Sequence, residues 1–249
     1  MSKALSFLPD SHSQDQDRRN DYDVTNTVMV SSVDAVRTEV QEIFQDAYPN
    51  SAFDALWMAF HDFGELFDGQ LTGYAGCDTL YHDRQHSLDV TLGMARLLAG
   101  YEKSCADADR LGDERAVASL ICALFHDAGY IRRTDDRNTL NGAEFTNWHV
   151  SRSARFLQSY LPKLGFGDYS DIAALVVHFT GYEMRLDDIE LDDPKDSMVG
   201  HLLGTADLIV QMADRCYLEK CRDRLYSEFV LAGVSLAPEG GGYQDMVYA

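Results

Sequence analysis

The stretch that most constrains this chain is residues 116–130, AVASLICALFHDAGY. Its first ten residues are small or apolar with no polar face, which marks an interior segment rather than a surface one. The run ends abruptly in His126 and Asp127, and Gly129, a residue type at which a helix can stop, follows. An interior segment closing in an adjacent imidazole and carboxylate aims two ligand groups into a cavity. Imidazole nitrogen and carboxylate oxygen together suit a divalent first-row metal or magnesium. The competing reading is a helix end with a capping charge. The chain has three His-Asp pairs, His61-Asp62, His82-Asp83 and His126-Asp127, and only the last closes a long apolar run.

The flanking sequence reads as helices. Residues 33–46 place Val36, Val40, Ile43 and Phe44 on one face, and residues 51–67 carry Phe53, Leu56, Trp57, Phe60, Phe63 and Leu66. Further helical segments are expected over 81–98, 144–161, 171–179 (with Ser170 as a cap), 198–213 and 215–231. A charged connection over 100–114, a polar loop over 131–142 and an acidic loop over 183–194 separate them. Nothing alternates with a strand period, and no repeat, GxGxxG, P-loop or HExxH pattern occurs. The expectation is an all-α fold: a single helical domain of about eight to ten helices over residues 28–235, with its motifs in 81–214. A polar tail over 1–27, disordered or loosely docked, and a Gly-rich tail over 236–249 flank it.

Charge narrows the classes of partner. A net charge of −20 argues against binding nucleic-acid backbones by bulk charge and against anionic membrane surfaces. An anionic substrate would need local help from metal or arginine. Cys77, Cys105, Cys122, Cys216 and Cys221 form neither a disulfide framework nor a zinc-ribbon spacing. The first residues lack the apolar run of a secretion signal and no stretch has a membrane-spanning length free of charge, so a cytoplasmic location is expected.

Ligand-type residues recur on separate apolar helices: His82 and His86, the pair His126-Asp127, His149, Asp207, and also His178. A shared metal would satisfy them together; private hydrogen-bond partners are the alternative for His149, His178 and Asp207. In their order, His86, His126-Asp127 and Asp207 resemble the HD superfamily of metal-dependent phosphohydrolases. YHDRQHSLDV is similar to the YHNxxHxxDV signature of its bacterial cyclic-nucleotide phosphodiesterase-like branch, LFHDAGY to LFHDxGY, and TADLI to the ADL element. His149 followed by Ser153 looks like the HxxxS element of bacterial relatives. Asp83 stands where the phosphodiesterases have Asn, and Gly129-Tyr130 where they continue with Asp-His. The resemblance therefore carries fold and metal site, and cyclic-nucleotide specificity poorly.

The resemblance implies that His86, His126, Asp127 and Asp207 hold one divalent metal. Asp127 would bridge to a second, for which His149 and His178 are candidate ligands; one or two of Mn, Mg, Zn, Fe, Ni or Co would serve. It also implies that His82 is the general acid for the leaving oxygen. Arg132 and Arg133 follow the pair and are candidate phosphate contacts, the alternative being solvated loop charges. The expected activity is hydrolysis of a small, nucleotide-like phosphate ester by metal-activated hydroxide, and a homodimer is compatible with this reading. A metal-binding regulatory module with little catalysis and a di-iron oxygenase of the same fold are the competing functions.

Overall fold

The apolar run becomes the helix that the others surround. In the computed structural model, which describes residues 21–49, 51 and 53–234, the α-helices are α1 (Val33–Ala47), α2 (Asp54–Phe67), α3 (Arg84–Ser104), α4 (Asp113–Phe125), α5 (His149–Tyr160), α6 (Ser170–Val176), α7 (Pro194–Ala213), α8 (Tyr217–Lys220) and α9 (Tyr226–Leu231). A π turn over Cys221–Leu225 joins the last two. No strand occurs among the described residues, so the all-helical expectation holds. Every side chain from Ala116 to Phe125 is buried, and α2, α3, α5, α6 and α7 all pack against α4. A helix completes its backbone hydrogen bonds internally, so one that is apolar all round can be enclosed on every side. At its end Phe125 meets Phe63, Phe156 and Tyr160 at ring-centroid distances of 5.9, 5.0 and 4.8 Å. The amphipathic face of α1 (Val36, Val40, Phe44) is buried as its spacing predicts.

Several boundaries differ from the periodicity, each for a local reason. Helix α3 starts at Arg84 rather than 81, because Asp83 adopts extended backbone and its carboxylate accepts from His86 N at 2.9 Å. Asp and Asn serve about equally well as N-caps, which accounts for Asp83 in a position where the signature has Asn. His82, inside the helical span expected over 81–98, therefore precedes the helix and does not share a helical face with His86. The segment 144–161 is broken: a 3-10 turn over Gly142–Phe145, closed by an Asn141–Glu144 capping box, comes before α5. Ser170 is the first residue of α6 and its hydroxyl donates to Gly167 O, so it does not cap as expected. Helix α7 begins at Pro194, with the Asp193 side chain accepting from Lys195 N at 2.9 Å; proline suits a first turn whose N–H has no helical partner.

Residues 1–20 of the first expected tail and all of 236–249 lie outside the described residues. Asp23, also placed in that tail, is buried against the domain, where it accepts from Val28 N and pairs with Arg96 at 2.8 Å. All five cysteines are free thiols. No helix of the described residues is long and apolar enough to cross a membrane.

Candidate metal centre

The His-Asp pair leaves the end of α4 into a tight 3-10 turn over Ala128–Tyr130. This turn lies directly on α5. Gly129 N donates to Ser153 Oγ at 2.8 Å, and Arg152 Nε donates to Gly129 O at 2.7 Å. A Cβ at Gly129 would stand 1.8 Å from the His149 carbonyl oxygen, so glycine is required for close approach and not as a left-handed helix stop. The same approach carries His149 to the pair, with its Nε2 3.8 Å from Asp127 Oδ1.

Four elements converge here. His86, in the first turn of α3, has Nε2 3.4 Å from Asp127 Oδ2 and 3.2 Å from Asp207 Oδ1 on α7. His126 Nε2 lies 3.1 Å from Asp127 Oδ2 and 4.0 Å from Asp207 Oδ1. Ligand atoms of His86, His126 and Asp127 all fall within 4.8 Å of one another, so these three could hold a metal ion. Backbone carbonyls fix two of the rings: His126 Nδ1 donates to Ala123 O at 2.8 Å and His149 Nδ1 to Thr146 O at 2.7 Å, which leaves each Nε2 free for the cluster. The chemistry of the donor set fits a divalent cation. His126 Nε2 and Asp127 Oδ2 are buried with no hydrogen-bond partner among the described residues, their 3.1 Å contact being too poorly aligned to count. Such orphans are rare in native interiors, and one cation between them satisfies both.

The titration behaviour points the same way. Burial alone would raise the Asp127 carboxyl, but His126, His82 and His86 outweigh it and hold the group well below the usual carboxylate range. Asp207 is likewise lowered against its burial by His86 and His126. Burial opposes a charged His126, yet Asp127 and Asp207 push it up to about 9. The cluster is short of positive charge, which either a proton or a metal ion supplies. His149 goes the other way, burial lowering it despite Asp127.

His82 stands beside the cluster and is held differently. Its Nδ1 is 2.6 Å from Glu228 Oε2 on α9, and Glu228 also accepts from the backbone N–H groups of Tyr81 and His82. Glu228 is fully buried, and its carboxyl stays low against its burial because of His82. The reciprocal effect raises His82: burial is outweighed by Asp127 and by the Glu228 bond. The ring stacks on Tyr130 at 4.4 Å, and Tyr130 also stacks with His149 at 4.2 Å, the two imidazole centroids lying 6.0 Å apart. His82, His86, Asp127, His149 and Asp207 all line one cavity of about 540 Å³.

Three sequence expectations need correction. His178 does not join the cluster; it is buried in the turn after α6, its Nδ1 without a partner among the described residues, near Glu183 rather than Asp127. Arg132 and Arg133 do not line the cavity either, because nearby acids take them: Arg132 pairs with Asp78 at 2.8 Å and donates to Thr139 O, and Arg133 pairs with Asp135 at 3.2 Å. Sequence reasoning leaves out two acids that hold the site's histidines. Glu228 sits beside Phe229 on an apolar helical face, and a carboxylate there was a readable signal for a buried partner. Glu183, read as loop charge, caps α5 by accepting from Val150 N at 2.7 Å and Ser151 N at 3.0 Å, and so steadies His149 at the helix start.

Fold and site together define an all-helical protein with a buried His/Asp cluster able to hold a metal ion. The chain belongs to the HD domain family, whose sequence model matches residues 84–219. The match spans His86, His126, Asp127 and Asp207 and leaves His82 and Glu228 outside it. Searches of curated proteins and of solved structures gave no match.

Proposed function

We propose that this HD-family protein is a metal-dependent phosphohydrolase that cleaves a phosphate ester of a nucleotide or another small molecule. One observation carries the reading. An imidazole that is not part of the cluster, His82, reaches the same cavity and is oriented by a buried carboxylate, with Nδ1 2.6 Å from Glu228. A protein that only stored or sensed a metal has no use for such a dyad. The spelling of YHDRQHSLDV and LFHDAGY further supports a place near the phosphodiesterase-like branch.

His86, His126, Asp127 and Asp207 would hold the metal, drawn from Mn, Mg, Zn, Fe, Ni or Co. When bound, a divalent ion supplies Lewis acidity toward phosphoryl oxygens and a water that ionises near neutral pH. Asp127 turns Oδ2 to His86 and His126 and Oδ1 to His149, an arrangement suited to bridging a second ion. Glu228 accepts the Nδ1 proton of His82 and favours the imidazolium, so that Nε2 carries the proton for the leaving oxygen. Tyr130 fixes the plane of the ring by stacking on it.

Elemental analysis of purified protein, followed by a phosphate-ester panel with added Mn, Mg and Zn, tests the reading. One to two metals per chain and turnover of at least one ester are expected, and Asp127→Ala should lose both together. A fully metal-loaded protein that hydrolyses no ester in the panel would overturn it.

A further inference from the structure

We propose that the substrate carries a single phosphoryl group on an uncharged and largely apolar body. This rests on the phosphohydrolase reading and narrows it.

The argument is electrostatic. The chain has a net charge of −20, so a polyanion is not drawn to it by bulk charge. Within the cavity, the described lining contains no lysine and no arginine. The side chains of the described lining that can carry charge near neutral pH are imidazoles and carboxylates, Asp127, Asp207 and Glu183 among them. Sites that grip several phosphates present Arg or Lys forks to them. Here only the metal cluster and the His82 imidazolium beside it can compensate a phosphoryl charge, and both face the same end of the cavity. A second phosphate or a carboxylate elsewhere in the substrate would lose its hydration and face carboxylates instead, at the cost that burying an unpaired charge always carries.

The rest of the wall suits a neutral partner. Leu208, Tyr217, Leu225 and Phe229 supply apolar and aromatic surface, while Asn147 and Gln211 supply uncharged hydrogen-bonding groups. A volume of about 540 Å³ is in the ordinary range of small-molecule sites. Such a lining binds rings and hydroxyl or amide groups, and gives nothing to a remote anion.

The test uses metal-loaded protein and p-nitrophenyl phosphate diesters that share one leaving group and differ in the second ester group, phenyl or 4-carboxyphenyl. The chemistry at phosphorus is then held constant and neither substrate sequesters the metal as a polyphosphate would. The carboxyphenyl diester should have a kcat/KM at least about tenfold lower, about 1.4 kcal/mol. The gap should narrow as salt is raised. Asn147→Arg, which adds a cation at an exposed wall position, should raise the ratio of carboxyphenyl to phenyl kcat/KM by at least about fivefold. If both diesters react but the charged one is equal or better in the unaltered protein, this inference fails and the phosphohydrolase reading stands. If neither this pair nor any other ester is hydrolysed, that reading fails and the inference with it.

Discussion

Replacing Glu228 with glutamine keeps the shape of a fully buried side chain and removes its charge. In the wild type its carboxylate receives the His82 Nδ1 proton at 2.6 Å and the N–H groups of Tyr81 and His82. A hydrogen bond to a charged group is worth about 1.5–3 kcal/mol and a neutral one about 0.5–1.5, and glutamine has one acceptor oxygen where the carboxylate uses two, so the change weakens the hold on imidazolium by at least about 1–1.5 kcal/mol. At 1.36 kcal/mol per pH unit, a change of this size moves a pH profile by about one unit. The sign follows from the role. A general acid works only when protonated, so activity is present below its pKa and lost as pH rises through it. Glu228 raises that pKa, and its loss should move the alkaline limb of kcat/KM down by about one pH unit. Above the new limb the rate should fall by about tenfold. The assay is the pH profile of Glu228→Gln beside wild type on an ester with a poor leaving group, with metal content measured to show that the cluster is intact. Glu228→Ala serves as the contrast: it strands three donors without a partner, at about 1–3 kcal/mol each, and should lower the melting temperature instead of merely shifting the profile. A Glu228→Gln profile superimposable on wild type would refute the dyad.

Three further outcomes are expected. His82→Ala should retain its metal but lose about 10²–10⁴-fold in turnover on poor leaving groups, and much less on p-nitrophenyl esters; equal losses on both would remove His82 from the role of acid. Gly129→Ala would set a methyl 1.8 Å from His149 O and 2.8 Å from Ser153 N, backbone atoms that cannot step aside singly, so it should destabilise by at least about 1–3 kcal/mol and displace His149, read by melting temperature and metal stoichiometry. Metal-free protein should lose stability with rising pH: His126 is raised from 6.5 to about 9, so its contribution, about 3 kcal/mol at most, is full below pH 6.5 and gone once pH has passed 9. Metal-loaded protein should lack this slope because the ion replaces the proton, and identical slopes in chelator and in manganese would contradict the site.

Much of the centre was legible because its signals are local. Ten enclosed residues followed by His126-Asp127 announce a buried ligand pair, and a helix supplies the physical means to bury all sides of such a run. His86 and Asp207 were legible as polar residues among apolar neighbours, and they meet at 3.2 Å. Capping was legible only in part. Asp83 was noticed as a departure from a signature, but its side chain ends the helix early, which periodicity cannot register because hydrophobic spacing is silent about where backbone N–H groups find partners.

What the sequence by itself determined, then, is the helical class and the His-Asp cluster that could hold a metal, since burial of apolar residues and scarcity of buried charge act within a single helix. What only tertiary structure decided is which charges are free. Arg132 and Arg133 looked available for phosphate until Asp78, in a loop more than fifty positions away in the chain, and Asp135 claimed them. His149 and His178 looked equivalent until the Gly129 turn docked on α5 and brought only His149 to Asp127. Glu228, separated from His82 by 146 residues, acquires its role only when the last helix folds back over the cavity. Ion pairing and imidazole orientation depend on distances between segments remote in the chain, and no single segment's composition encodes those distances.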